Sequence, residues 1–149
     1  MIFTSEIPLS DIDTNKKLIF LAGSIDLELP GNWRKQVSSL LEDQFNYFDP
    51  TSQNHGEMDH EAWNTHINWE LEAMKMADIV FMNLLPNAKS PISLIELGLN
   101  SLNGKLVVVC PKEFYKNQYI QALCAYHSTP IFQTLKEGVQ HVKNVISVK

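Results

Sequence analysis

The sequence lacks several features that define large classes of proteins. Its 149 residues include only two cysteines, Cys110 and Cys124, which form no CxxC pair, so we expect reduced thiols and no disulfide framework. No apolar run is long enough to cross a bilayer, and no basic segment followed by an apolar stretch opens the chain. These absences lead us to expect a cytoplasmic protein without a signal peptide or a membrane anchor.

Positive charge is also in short supply. Lysine and arginine number 12 against 17 aspartates and glutamates, giving a formal net charge of −5. A mildly acidic chain has no general attraction for polymeric nucleic acid or for an anionic membrane. If it handles nucleotides, it should bind them singly, in a shaped pocket. Hydrophobic residues make up 44% of the chain, which suffices for one globular domain over residues 1–149.

Apolar runs alternate with amphipathic segments after a polar stretch, residues 1–16, that we expect to form a short arm. Strands are predicted at 17–22, 45–48, 78–84, 105–110 and 130–132. Helices are predicted at 33–42, 62–77, 91–102, 115–125 and 134–146. Because the strands are continuous apolar runs, the pattern predicts a flavodoxin-like three-layer α/β sandwich. Its five-stranded parallel sheet would have the order 2-1-3-4-5.

Ligands of such folds bind beyond the carboxyl ends of the strands. The loop after the first predicted strand contains Gly23, Ser24 and Asp26, which offer a close backbone approach and hydrogen bonds to sugar hydroxyls. Asp49 ends the second strand, and Trp33 follows the first loop, so both are further candidates for binding substrate. The first loop carries no GxGxxG motif, which disfavours a dinucleotide site.

Two glutamates, Glu70 and Glu96, fall on the apolar sides of predicted helices. The predicted apolar stripe beside Glu70 consists of Trp63, Ile67, Leu71 and Met74. The stripe beside Glu96 consists of Ile92, Ile95, Leu99 and Leu102. Burying a carboxylate is costly unless it is paired or hydrogen-bonded. Either residue alone fits a helix-edge glutamate that reaches water, but two in one small domain suggest glycosidic chemistry, which uses paired carboxylates.

The segment Ser90-Pro91-Ile92-Ser93 is a strong helix start, with Ser90 at the N-cap and Pro91 at the first helical position. The free N–H groups of such a start, with the hydroxyls of Ser90 and Ser93, are suited to binding an anion at the carboxyl edge of the sheet.

Three segments together resemble the nucleoside 2-deoxyribosyltransferase superfamily, and most closely its deoxyribosyltransferase-like branch. These are FLAGSID at 20–26, NWELEAMKMADIVF at 68–81 and SPISLIELG at 90–98. The resemblance runs from about Leu18 to Cys110. It implies a flavodoxin-like fold and a glutamate, here Glu96, that attacks C1′ of a 2-deoxyribosyl group. Glu70 stands where the family has an acidic residue on the preceding helix.

One position departs from the transferases of this family, which carry an aspartate six residues before the nucleophile. Here that position is Ser90, as in the related 2′-deoxynucleoside 5′-phosphate N-hydrolases, where serine helps to bind the phosphate. The resemblance also implies a homodimer or larger homo-oligomer in which a neighbouring subunit helps to complete the site. We expect no cofactor and no metal, since His55, His60 and His66 lack ligand spacing.

These patterns predict an enzyme that cleaves the N-glycosidic bond of a nucleoside or a nucleoside 5′-monophosphate. Water or an acceptor base would resolve a glycosyl-glutamate intermediate. Two alternatives stay open at this point: an NAD glycohydrolase, and a catalytically silent nucleotide-binding module. The base, the choice between ribose and deoxyribose, and the choice between hydrolysis and transfer are not decided by these residues.

Overall fold

The structure is a computed structural model that describes residues 1–25, 32–51 and 57–147. Its strands are β1 (Ile2–Phe3), β2 (Lys17–Gly23), β3 (Phe45–Phe48), β4 (Ile79–Asn83), β5 (Leu106–Val109) and β6 (Ile131–Phe132). Its α-helices are α1 (Trp33–Leu41), α2 (His60–Met76), α3 (Pro91–Asn100), α4 (Asn117–His127) and α5 (Leu135–Ser147). Within this part of the chain, no helix combines the length and apolar character needed to cross a membrane.

The strands form one sheet in the order β1-β3-β2-β4-β5-β6, and every neighbouring pair is parallel. The last five strands in this order reproduce the predicted 2-1-3-4-5 arrangement, so the flavodoxin-like α/β fold is confirmed. The added strand, β1, lies at the edge beside β3, where Ile2 pairs with Tyr47 and Phe3 with Phe48. The first 16 residues, predicted as an arm, thus extend the sheet and pack Phe3 and Ile12 into the core.

Apolar side chains fill both sides of the sheet, as continuous apolar strands require. Successive residues of β2 alternate between the two sides: Leu18 and Phe20 contact one cluster, while Ile19 and Leu21 contact the other. The first cluster includes residues of α2, α3 and α4, and the second includes residues of α1 and α5. The sheet is therefore covered by three helices on one face and two on the other.

The predicted apolar stripe of α3 was wrong, and of the four residues in the predicted stripe of α2 only Met74 is buried. Trp63, Ile67 and Leu71 are exposed, and the buried face of α2 consists of His66, Trp69, Ala73 and Met74. The four predicted stripe residues at α3 are 60–77% exposed, and the buried face of α3 consists of Ser93, Glu96, Leu97 and Asn100. In α1, Leu40 is likewise exposed, while Val37 and Leu41 are buried. Neighbouring backbone and helices, rather than apolar periodicity, decide which face each helix turns to the sheet.

Candidate active site

Strand order reverses between β2 and β4, and the loops that follow these two strands meet at the carboxyl edge of the sheet. The Ser24 Oγ lies 2.6 Å from the Ser90 Oγ and accepts a hydrogen bond of 2.9 Å from the backbone N–H of Leu85. Two predicted site residues that are 66 positions apart in sequence are thus in direct contact.

Gly23 closes β2 with a φ of +129°, a conformation that favours glycine. A Cβ at this position would lie 2.0 Å from the backbone oxygen of Asn83, so glycine is needed for close contact between β2 and β4. The residue was predicted to give a ligand room to approach. The structure supplies a different reason for glycine here: the close approach is to the neighbouring strand.

Ser90 caps α3 in the left-handed conformation, with φ 51° and ψ 54°, and its side chain makes no capping hydrogen bond. The predicted N-cap position and Pro91 at the first turn are confirmed. A non-glycine residue in this region costs roughly 1–3 kcal/mol, and such strain clusters at functional sites. The backbone geometry turns the Ser90 hydroxyl towards Ser24 instead of back onto its own helix.

Glu96 lies on the buried face of α3, one turn after Ser93, and only 8% of the residue is exposed. Burial and, to a smaller extent, charge repulsion from Glu70 raise the pKa of Glu96 to about 7, although the positive charge of Arg34 lowers it. No donor hydrogen-bonds the Glu96 carboxylate within the described residues. The carboxylate is thus largely desolvated.

Glu70 projects from α2 and is half-buried, as expected for a residue beside the inward face. Its Oε1 lies 3.0 Å from the His66 Nε2, one helical turn earlier. Two carboxyl groups with different surroundings therefore face one site, and one of them has a pKa well above the usual range.

Arg34, on α1, was not singled out from the sequence, yet it is the most buried charged side chain near the site, with 2% exposed. Its guanidinium donates to three backbone oxygens at the end of β2: those of Leu21, Gly23 and Ser24, at 3.0, 3.1 and 3.2 Å. Burial lowers the pKa of Arg34 to about 10, while negative charges at Asp49, Glu96 and Glu70 counteract that effect. The group stays protonated at neutral pH and places one fixed positive charge near these three carboxyl groups.

A signal for Arg34 was present in the sequence. Arg34 precedes Val37 by three residues and Leu41 by seven, which is the spacing of a single helix face. The test applied to Glu70 and Glu96, a charged residue at apolar spacing, identifies Arg34 when it is applied to α1.

Two of the remaining candidates, Asp49 and Trp33, contact Arg34 and lie around the site. Asp49 lies 3.7 Å from the Arg34 Nε and also accepts hydrogen bonds from the Thr51 backbone N–H and hydroxyl. Trp33 is buried, donates from its indole N–H to the Ser24 carbonyl at 2.9 Å, and lies under the Arg34 guanidinium. Asp26 lies outside the described residues. In the part of the chain that is described, no group of three or more metal-ligating side chains is assembled.

The protein therefore has a parallel α/β sheet with two electrostatically coupled carboxyl groups near the point where the strand order reverses. This combination is typical of enzymes that act on small molecules. A family model described as nucleoside 2-deoxyribosyltransferase-like matches residues 16–114, which is well over half of the chain. The chain belongs to this family of enzymes, whose general chemistry is glycosyl transfer or hydrolysis on nucleosides. No curated protein sequence gives a significant match to the chain.

Proposed function

We propose that this enzyme cleaves the N-glycosidic bond of a nucleoside or nucleoside 5′-monophosphate by double displacement at C1′, with Glu96 as nucleophile. The observation that carries the proposal is the placement of Glu96: buried, without a hydrogen-bond donor among the described residues, and coupled to Glu70 and Arg34. A desolvated carboxylate is a stronger nucleophile than a solvated one, and a pKa of about 7 leaves a substantial anionic fraction at neutral pH.

In the first step an oxygen of Glu96 attacks C1′, the bond from C1′ to the base nitrogen breaks, and its electron pair leaves with the base, which takes up a proton. In the second step a water oxygen attacks C1′, the ester bond to Glu96 breaks, and the water proton passes to Glu70 or to solvent. An acceptor base in place of water gives transfer. Two inversions yield net retention at C1′.

Recognition of a 5′-phosphate is proposed at Ser90. Its hydroxyl, the neighbouring Ser24 hydroxyl and the first helical N–H groups, which belong to Ile92 and Ser93 because Pro91 has none, lie together at the start of α3. Lys89 is exposed, and its carbonyl accepts a hydrogen bond from the Tyr115 hydroxyl. Binding would therefore rest on hydroxyl and amide donors rather than on an ion pair with Arg34, whose guanidinium is occupied by backbone oxygens.

The test is incubation with a panel of nucleosides, 5′-monophosphates and NAD, with chromatography of the released base, in the presence and absence of a second free base. Release of a base from nucleosides or monophosphates by the wild type, and its loss in Glu96→Gln, supports the proposal. A matched control is Glu72→Gln, since Glu72 is exposed on α2 and should leave turnover unchanged. Nicotinamide release alone, or tight nucleotide binding without turnover, would replace the proposal by one of the two alternatives.

We also propose that the chain forms a homodimer or larger homo-oligomer through the outer face of α2 and α3. Ile92, Ile95 and Leu99 are each about 60% exposed, and Ile67 and Leu71 of α2 are also exposed. Several large exposed apolar side chains on the outer sides of two helices are characteristic of protein interfaces. Light scattering after size exclusion should give a multiple of 17.0 kDa, and Ile95→Glu should shift it to the monomer mass. A monomeric wild type would overturn this.

A further inference from the structure

His66 is a buried residue that the double displacement does not use. It lies on the inward face of α2, and only 4% of it is exposed. Its ring stacks on that of Trp69, with centroids 6.4 Å apart and planes at 19°, and it meets the edge of Trp63 at 6.0 Å. Two large aromatic rings therefore restrict the orientation of the imidazole.

A hydrogen bond of 3.0 Å between its Nε2 and the Glu70 Oε1 connects the ring to the site. The exposed fraction of the side chains rises from 3% at His66 to 17% at Glu70. His66 is thus the inner member of the pair, and Glu70 lies nearer the site. There the charge of Glu70 affects the pKa of Glu96, on α3, and the pKa of Arg34, on α1.

We propose that His66 is a positioning residue for Glu70: it donates its Nε2–H to Oε1, holds the carboxylate in one rotamer, and leaves Oε2 for the substrate. This inference rests on the proposed function. A glutamate side chain has three rotatable bonds, and fixing them in advance removes an entropy cost that would otherwise be met between the bound complex and the transition state. A rigid imidazole four residues earlier on the same helix can supply that constraint.

The kinetic test compares His66→Leu, His66→Gln and His60→Leu in the full chain, with the monophosphate that the wild type cleaves best. Hydrogen-bond partners that orient metal ligands typically contribute ~10-fold to 100-fold in activity, and we take the same range for a residue that orients Glu70. His66→Leu should therefore lower kcat at least ~10-fold with little change in KM. His66→Gln keeps an N–H donor one turn before Glu70 and should recover most of that loss. Recovery of kcat by glutamine separates a positioning role from a packing role. Glutamine packs no better than leucine against the rings of Trp63 and Trp69, so only its N–H donor can account for the recovery.

His60 provides the matched control. It lies on the same helix and contacts Asn64 at the same four-residue spacing, 3.3 Å away, but it is exposed. His60→Leu should have wild-type kcat. A His66→Leu variant with wild-type kcat, or a His66→Gln variant no more active than His66→Leu at equal thermal stability, would overturn the inference.

A second measurement is independent of turnover. In protein labelled with ¹⁵N-histidine, long-range ¹H–¹⁵N spectra should show a proton on the His66 Nε2, and Glu70→Leu should shift that nitrogen signal. A His66 that carries its proton only on Nδ1 would refute the pair as proposed. If the wild type cleaves no nucleoside or nucleotide, the proposed function fails, and the spectra still decide whether His66 donates to Glu70.

Discussion

Replacing Glu96 by glutamine should remove nearly all turnover and at the same time stabilise the fold. Glutamine has almost the same shape as glutamate but cannot form the glycosyl ester, so the rate should fall by several orders of magnitude. Stability should rise because the wild-type site holds a carboxylate out of water beside a second one. A residue retained for chemistry, rather than for stability, is expected to show both effects.

The size of the stability effect follows from the pKa of Glu96. Its ordinary value is 4.5 and its value in the fold is about 7, so the folded state binds the proton roughly 300 times more tightly, which corresponds to about 3 kcal/mol. Because the folded pKa is the higher one, the wild type loses stability as pH rises from about 4.5 to about 7, and the loss is complete above that range. Glutamine stays neutral in both states and avoids that loss.

Urea unfolding of the wild type and Glu96→Gln at pH 4.5 and pH 8.5 measures this difference. The variant should exceed the wild type by up to about 3 kcal/mol more at pH 8.5 than at pH 4.5. Glu72→Gln, at an exposed position of the neighbouring helix, should show no such pH dependence. If Glu96→Gln raises the free energy of unfolding equally at both pH values, ionisation of the buried Glu96 does not destabilise the fold. A Glu96→Gln variant that keeps a tenth of wild-type turnover would refute the covalent role of Glu96.

Three further predictions concern the intermediate, the phosphate and the backbone. A 2-fluoro-2-deoxyribosyl substrate should leave a sugar adduct on the peptide containing Glu96, detected by mass spectrometry, because fluorine slows its breakdown; a competent substrate analogue that never labels the protein would favour direct displacement. The kcat/KM for monophosphates should exceed that for nucleosides by at least ~10-fold, because charge-assisted hydrogen bonds are worth about 1.5–3 kcal/mol each. Ser90→Asp should erase or reverse this preference. Equal kcat/KM values for both substrates in the wild type would leave Ser90 with the role of a helix cap only. Ser128→Gly should raise the free energy of unfolding by about 0.5–1 kcal/mol, since Ser128 ends α4 at φ 56°, whereas Ser101→Gly, at φ −65°, should lower it.

The sheet order and most element bounds could be predicted because they depend on local sequence. Continuous apolar runs separated by helical segments leave few alternatives to a doubly covered parallel sheet, and right-handed crossovers then restrict the strand order. The strand at Ile2–Phe3 was not predicted, since two residues carry no periodicity and their pairing with β3 is decided by the distant Tyr47 and Phe48.

Glu96 was identified from an apolar stripe that proved to be the exposed face of α3. Glu96 is nevertheless buried, on the face of α3 that also carries Ser93, Leu97 and Asn100. The stripe pointed to the wrong side because a helix that is apolar on its outer face and polar on its inner face has the same period as an ordinary amphipathic helix. Periodicity gives the faces of a helix, not which face turns inward.

The amino-acid sequence by itself determined the fold class, the strand order of the last five strands of the sheet and the family resemblance, because each is encoded in local patterns or short motifs, and it named Glu70 and Glu96 as candidates. Only the tertiary structure decided the surroundings of those groups. The pKa of Glu96 depends on its burial and on the charges of Glu70 and Arg34, which lie on two other helices. The contact between Ser24 and Ser90 joins loops 66 residues apart. Electrostatic coupling and solvent exclusion act through space, and the packing of helices on both faces of the sheet brings these groups together.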